Sequence, residues 1–228
     1  MFLALVYLCK MPVWIIFTLG FTAQLLFFSR TLIQWIFSER EGRVVSPTLY
    51  WQFSLYASIL MLFYGIFRQD LAICIGQMLV YAIYIRNLQL KGAWGQMSFA
   101  IRLFIIILPF VVLGWLTQYS GDLFAGLMNN NDIPTIWVWW GTAAQLFFTF
   151  RFIYQWMVSE RQKSSELPLG FWLISVTGSV MILVYAMFRL DPVLLASHSV
   201  GVLLYARNIY IHRVSAIRKS SARPIIKN

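Results

Sequence analysis

Two arginines lie well inside apolar stretches of the sequence, and their chemistry is the first feature to explain. Arg30 lies within GFTAQLLFFSRTLIQWIFSER and Arg151 within GTAAQLFFTFRFIYQWMVSER. An arginine near the centre of a bilayer costs about 2.5 to 3.5 kcal/mol on insertion scales, so it normally faces a polar partner, a cavity or a substrate. Its planar guanidinium fits a phosphate group through paired hydrogen bonds. We therefore expect the two side chains to bind a phosphate or pyrophosphate.

Neutral polar side chains accompany each arginine. On a helix, Gln34 and Ser38 lie four and eight residues after Arg30 and share its face, while Gln24 lies within roughly 120° of that face. The second stretch repeats this pattern. We predict that the following amides contribute hydrogen bonds to the bound group: Gln24, Gln34, Gln145 and Gln155.

The arginines have an alternative interpretation, in which each forms a salt bridge inside the helical bundle. No Asp or Glu lies within any predicted span, and this disfavours the alternative. Glu39 and Glu160 lie at the ends of their spans, where we expect them to pair with Arg86 or Arg207 in a structural role.

Asn87 and Asn208 are the remaining candidate substrate-binding residues. Either asparagine could contact a sugar or cap its helix, and we favour capping. Four serines recur four residues apart, a spacing typical of close helix packing in membranes. His198 is interpreted as a core residue.

The composition is that of an integral membrane protein. The chain has 228 residues, of which 60% are hydrophobic and only 11% charged. A soluble domain is about 25% charged. Membrane topology and anionic headgroups account for the net charge of +10, so we expect no nucleic-acid partner. The two cysteines lie in apolar surroundings without a metal-ligand spacing, and the first residues lack the basic region and cleavage site of a removable signal peptide.

Apolar runs of about 20 residues predict transmembrane helices. There are seven, at residues 12–37, 48–67, 71–90, 99–118, 134–158, 169–188 and 192–212. An odd number of spans puts the two ends on opposite sides. Lys and Arg are concentrated on one side of this arrangement, which by the positive-inside rule predicts an outer N-terminus and a cytoplasmic C-terminus.

The sequence contains an internal repeat. Residues 20–90 align without a gap with residues 141–211, at a constant offset of 121 positions. Each copy holds three predicted spans, and the unmatched run near residues 99–116 supplies a seventh. Because each copy has an odd number of spans, two copies in direct succession would insert in opposite orientations. The linker helix crosses the membrane once more, so the copies are parallel about an axis along the membrane normal. The predicted architecture is an all-α membrane protein in a 3+1+3 arrangement, with a first repeat at 1–97, a linker helix and outer loop at 98–133, and a second repeat with a basic tail at 134–228.

Specific motifs then identify a family. The 3+1+3 plan resembles the SWEET and PQ-loop transporter superfamily. The string AQ..F..R...QW..SE occurs in both copies and, with P...FW..S, DP and YARN in the second, resembles the lipid A biosynthesis N-terminal domain family. The first copy departs from the later motifs, for example with Asp70-Leu71 in place of DP, and the PQ dipeptide is absent. That resemblance implies a bacterial inner-membrane module that occurs alone or fused to glycosyltransferases of envelope synthesis.

Binding rather than catalysis is the chemistry that these residues favour. The sequence has no paired intramembrane carboxylates, no nucleophile with a base, no phosphate-binding glycine loop and no metal site, so we expect neither an enzyme nor a cofactor. We expect a transporter or flippase of a phosphate-bearing lipid or lipid-linked sugar. Two alternatives remain open: a non-transporting module that docks a glycosyltransferase or feeds it substrate, and uptake of a neutral sugar by analogy of fold.

Overall fold

A computed structural model describes residues 12–68, 71–128, 135–189 and 192–221. In these ranges the chain forms seven α-helices, one 3-10 turn at Trp94–Gln96 and no strand. The helices are α1 (Val13–Glu41), α2 (Thr48–Arg68), α3 (Leu71–Leu90), α4 (Phe99–Met128), α5 (Thr135–Gln162), α6 (Leu169–Arg189) and α7 (Pro192–Ser221).

Every predicted span corresponds to one of these helices. The main differences are at the C-terminal ends of α4 and α7, which continue to Met128 and Ser221, beyond the predicted limits of 118 and 212. The predicted limits marked where the sequence stops being apolar, and a helix can continue beyond that point because its hydrogen bonds are internal to the backbone.

The first helix of each repeat ends in the same way. Gly42 adopts a left-handed conformation (φ 62°, ψ 16°), and its N–H donates to the Glu39 carbonyl at 3.3 Å. This is a common helix terminus because glycine adopts positive φ without a steric penalty. Lys163 takes the equivalent place after α5, also at positive φ (52°).

Three helices in the described ranges are long enough and apolar enough to cross a membrane, at Trp14–Glu41, Thr48–Phe67 and Leu169–Phe188. A shorter apolar helix runs over Phe99–Gly114. The prediction of a membrane protein is consistent with these lengths, since about 20 apolar residues span a bilayer.

The two repeats contact each other through matching pairs of helices. Within each repeat the three helices pack in sequence order, while α3 contacts α5 and α1 contacts α7 between the repeats. The linker helix α4 packs on the first repeat, where the Tyr81 hydroxyl donates to the Ile105 carbonyl at 3.0 Å. The polar residues of α1, α3, α5 and α7 therefore meet along the contacts between the repeats.

Candidate functional site

Arg30 lies in the interior of the bundle. Its side chain is 6% exposed, and Nη1 donates to the Ser54 hydroxyl at 2.7 Å and to the Tyr84 hydroxyl at 3.2 Å. These contacts tie α1 to α2 and α3. All the described partners are neutral, so they hold the guanidinium in place without cancelling its charge.

Arg151 occupies the equivalent position with fewer hydrogen bonds. It is also 6% exposed, and Nη1 donates to the Tyr205 hydroxyl at the long distance of 3.5 Å. Its guanidinium carbon instead lies 3.4 Å from the centroid of the Phe148 ring, a close cation–π contact. Arg151 is therefore less completely satisfied than Arg30.

One aromatic ring contacts both arginines. The guanidinium carbons of Arg30 and Arg151 lie 5.3 and 4.8 Å from the centroid of the buried Phe152 ring. The two cations are thus no more than about 10 Å apart, and because both are buried, salt screens their repulsion only weakly. The first repeat has Thr31 at the position of Phe152, so one ring serves both halves.

Neither arginine forms a salt bridge with a carboxylate in the described part of the chain. The four glutamates contact other groups, at the ends of helices or in loops. The Nε atoms of Arg30 and Arg151 are buried without a hydrogen-bond partner. A buried cation with unmet donors is costly, and the arrangement would be stabilised by an anion.

The predicted amides Gln34 and Gln155 bind the predicted asparagines, each across the boundary between the repeats. Gln34 Nε2 donates to Asn208 Oδ1 at 2.8 Å. Gln155 and Asn87 exchange two hydrogen bonds, at 2.8 and 3.1 Å. All four side chains are fully buried. They form what we call the amide layer, one helical turn from the arginines.

The expectation that the asparagines cap their helices is wrong. Asn87 lies inside α3 and Asn208 inside α7. Each amide nitrogen donates to the carbonyl four residues earlier, to Ile83 and Leu204 respectively, at 2.9 Å. Each asparagine also binds a glutamine of the other repeat, because a buried amide needs several partners and these helices face each other. The Ser165 hydroxyl donates a further hydrogen bond to Asn87 Oδ1 at 2.7 Å.

The loops after α1 and α5 close over the amide layer. Gln34 Nε2 donates to the Val45 carbonyl at 3.3 Å, and Gln155 Nε2 donates to the Glu166 carbonyl at 3.0 Å. The loops also contact each other, since the Ser46 hydroxyl donates to the Ser165 carbonyl at 2.6 Å. The bundle is therefore closed at this end, below the arginines.

Two ion pairs join the repeats beside the amide layer, as the sequence predicted for Glu39 and Glu160. Glu39 binds Arg207 through two hydrogen bonds at 2.5 and 3.0 Å, and Glu160 binds Arg86 at 2.7 and 2.8 Å. Each pair is bidentate, the strongest geometry for these groups. Glu160 lies beyond its predicted span, where Arg86 and then Lys163 hold the pKa of its carboxyl at about 2, below its ordinary value of 4.5.

Gln24 and Gln145 lie away from this group. Both positions are exposed on the outside of the bundle. Six residues separate each from its arginine, a helical rotation that leaves it about 120° from the arginine's face. The structure thus brings together Arg30, Arg151, Gln34, Gln155, Asn87 and Asn208, but not the first amide of either repeat.

Sequence reasoning missed the aromatic part of the site. Tyr50, Tyr84, Phe152, Phe171 and Tyr205 lie with their ring centroids 4.8 to 5.7 Å from one or both guanidinium carbons. Tyrosines in membrane proteins commonly form an interfacial aromatic belt, so the residue type alone does not indicate a site. The sequence did contain one signal for these rings, because tyrosine occurs at equivalent positions of the two repeats, Tyr84 and Tyr205.

Comparison with known proteins identifies the repeat unit. The model of the "Lipid A Biosynthesis N-terminal domain" matches twice, at residues 19–89 and 140–210. The chain belongs to this family. The two matched segments coincide closely with the internal repeat and contain both arginines, both amide pairs and both cross-repeat ion pairs.

The curated relatives that the chain matches are longer proteins. The chain is 28% identical to a lipid-A-disaccharide synthase of Chlamydia felis over 94% of its own length and 35% of the synthase. It is 27% identical to that of Chlamydia pneumoniae, over 83% of its own length and 32% of the synthase. The chain thus spans about a third of these curated relatives and corresponds to their N-terminal part. No solved structure matches significantly.

Proposed function

We propose that the protein binds a phosphate-bearing lipid or lipid-linked sugar of the bacterial envelope between Arg30 and Arg151, and translocates it across the membrane. The observation that carries the proposal is the pair of buried guanidinium groups on Phe152, with no carboxylate partner in the described ranges. The family's name and the synthases among its relatives favour a lipid A context.

Electrostatics favours an anionic occupant. Two like charges no more than about 10 Å apart repel each other by at least about 2 kcal/mol at an effective dielectric constant of 20. A phosphate or pyrophosphate between them would replace this repulsion with two attractions, and its oxygens would accept hydrogen bonds from the unmet Nε donors. A neutral sugar would leave the repulsion in place, so the arginines argue against the third alternative.

The membrane arrangement that we infer has seven spans in two parallel repeats, as in transporters of the 3+1+3 plan. The N-terminus lies outside, the C-terminus lies in the cytoplasm, and the closed amide layer faces the cytoplasm. Movement of one repeat against the other would then expose the arginines to one side at a time.

We propose a role in binding, not in catalysis. The buried polar groups around the arginines are hydroxyls, amides and phenols, which orient and bind a ligand and do not readily exchange protons near neutral pH. Within the described ranges, the ion pairs beside the amide layer are the two bidentate pairs between the repeats and the additional contact of Lys163 with Glu160.

A second function is favoured by the lengths of the relatives. In them the matching region is about a third of a chain named as a synthase. This chain could accordingly act as a non-transporting module that docks a separate glycosyltransferase, or that holds a lipid substrate for it. The arginine site would have the same ligand in this case, but the ligand would not cross the membrane.

Vesicles containing the purified protein test the proposal. The probes are phosphatidic acid and a polyprenyl phosphate, each carrying a fluorophore on its chain, and transbilayer movement is followed by quenching of the outer leaflet. We expect Arg30→Gln and Arg151→Gln each to reduce movement at least tenfold, with partial recovery in Arg30→Lys because the charge is kept and the planar fork is lost. Arg213→Gln removes one exposed charge from α7 and is the matched control.

The outcomes separate the two functions. Full movement in both glutamine variants would refute the arginine mechanism. If the wild-type protein binds the probes in an arginine-dependent manner without moving them, the docking module is the correct function. A co-purified glycosyltransferase would support that second result.

A further inference from the structure

A groove of about 790 Å³ lies between α3 and α5, at one of the contacts between the repeats. Its walls are apolar and include Leu79, Ala82, Ile153 and Trp156. Leu79 and Trp156 are 52% and 40% exposed, so they face whatever surrounds the bundle. The helices α3 and α5 pack against α2 and α6, which are long and apolar enough to cross a bilayer. In the proposed membrane arrangement, the surroundings of the groove are therefore hydrocarbon.

The groove is lined by sequence neighbours of two residues that contact the arginines. Ile83 lines the groove, and the next residue, Tyr84, accepts a hydrogen bond from Arg30. Ile153 also lines it, and the residue before, Phe152, contacts both guanidinium groups. A molecule in the groove therefore contacts the same two helices, α3 and α5, that supply Tyr84 and Phe152 to the arginines.

One end of the groove is polar. Arg86, Gln89 and Glu160 line it there, and Lys163 also contacts Glu160. With two cations against one carboxylate, this end carries a net positive charge. Apolar walls that end at a cationic group match the chemistry of an anionic amphiphile.

The equivalent contact in the other half of the molecule carries different side chains. Ala82 and Gln89 correspond to Leu203 and Tyr210 in the second repeat, at the equivalent contact between α7 and α1. Leu203 and Tyr210 are 71% and 57% exposed, and the guanidinium carbon of Arg207 lies 5.0 Å from the centroid of the Tyr210 ring. The contact between α7 and α1 thus has larger side chains at the positions where the α3–α5 groove has Ala82 and Gln89.

We propose that the α3–α5 groove holds the hydrocarbon chain of the amphiphile whose phosphate is bound by Arg30 and Arg151. The inference rests on the proposed function and adds a direction of entry. The headgroup enters sideways between α3 and α5, while the chain stays in the bilayer and lies along Leu79, Ala82 and Ile153. The chain is thereby never carried past the buried arginines and the amide layer, where it would displace their polar partners.

Two measurements test the groove. A polyprenyl phosphate with a photoreactive diazirine on its chain should label peptides containing residues 79–83 and 153–156. The double variant Ala82→Leu with Gln89→Tyr, which installs the residues of the second repeat, should weaken binding of the polyprenyl phosphate at least tenfold. It should leave binding of inorganic pyrophosphate unchanged, because pyrophosphate has no chain.

The repeat also supplies the control. Leu203→Ala with Tyr210→Gln makes the reciprocal change on the other side, and we expect it to leave polyprenyl phosphate binding unchanged. Labelling of α1 and α7 in place of α3 and α5, or unchanged affinity in the Ala82→Leu, Gln89→Tyr variant, would refute the groove. Failure of the proposed function is distinguishable, since the wild-type protein would then not bind pyrophosphate at Arg30 and Arg151 at all.

Discussion

Aromatic rings supply most of the contacts that the two buried arginines make. A guanidinium over a ring gains about 2 kcal/mol or more when it is desolvated. Rings stabilise a buried charge without neutralising it, whereas a carboxylate would neutralise it and compete with an incoming phosphate. We infer that the aromatic rings stabilise the buried arginines in the folded protein and leave both charges available to an anionic ligand.

Phe152 is the residue at which this idea is most directly testable, because its ring contacts both arginines. Phe152→Leu keeps an apolar side chain but removes both cation–π contacts, so the free energy of unfolding should fall by at least about 2 kcal/mol. Thermal unfolding in detergent measures this.

Phe150→Leu is the matched control for Phe152→Leu. It makes the same change two residues away on α5, at a side chain that is 45% exposed, and we expect only a small loss of stability. Equal losses in the two variants would contradict the proposed role of the shared ring.

The sequence predicted the cations of the site better than their surroundings. Arg30 and Arg151 were recognisable because a charge inside an apolar span is costly unless it has a polar partner or ligand. Gln34 and Gln155 were recognisable because each lies four residues after an arginine, on the same face of the helix. Gln24 and Gln145 lie off that face, about 120° away, and the structure places them at exposed positions. Phe152 could not be found this way, since an apolar residue in an apolar helix carries no signal of its own.

At the scale of the helices, the contacts between repeats are ion pairs and amides. A sequence pattern places Glu160 and Arg86 near the same end of their helices, but it does not say that each pair crosses the repeat boundary. That assignment requires α3 to pack on α5 and α1 on α7, which is a property of the tertiary structure.

The pair between α3 and α5 should make stability depend on pH. The pKa of Glu160 is about 2 in the folded protein against an ordinary value of 4.5, so its contribution is complete above pH 4.5 and is lost as the pH falls towards 2. Glu160→Gln removes this contribution. We expect wild-type protein to be more stable than the variant at neutral pH, with the difference shrinking below pH 4.5, as measured by unfolding at a series of pH values.

Glu41→Gln provides the comparison for that experiment. Glu41 pairs with Arg43 at 3.6 Å, and the two side chains are 52% and 61% exposed, so solvent screens the interaction. The stability difference from wild type should be small at every pH. A Glu160→Gln variant that behaved in the same way would show that its ion pair does not hold α3 against α5.

At the scale of the whole molecule, the two loops that cover the amide layer bring the repeats together at one end. If the repeats move against each other during translocation, this contact must open in each cycle. If the protein is a static docking module, the contact can stay closed without loss of function. Whether the contact between the loops must open for function therefore distinguishes transport from docking, whichever ligand is bound.

A cross-link between the loops tests this difference. The Ser46 and Ser165 hydroxyl oxygens lie 3.5 Å apart, near enough for Ser46→Cys with Ser165→Cys to form a disulfide on oxidation, in a background with Cys9→Ala and Cys74→Ala. Because a closed disulfide prevents the loops from separating, we expect oxidation to abolish lipid movement in vesicles and a reductant to restore it. The single-cysteine variants should move lipid equally with and without oxidant. Undiminished movement in fully cross-linked protein would refute alternating opening at this end, and failure of the cysteines to cross-link would contradict the contact between the loops.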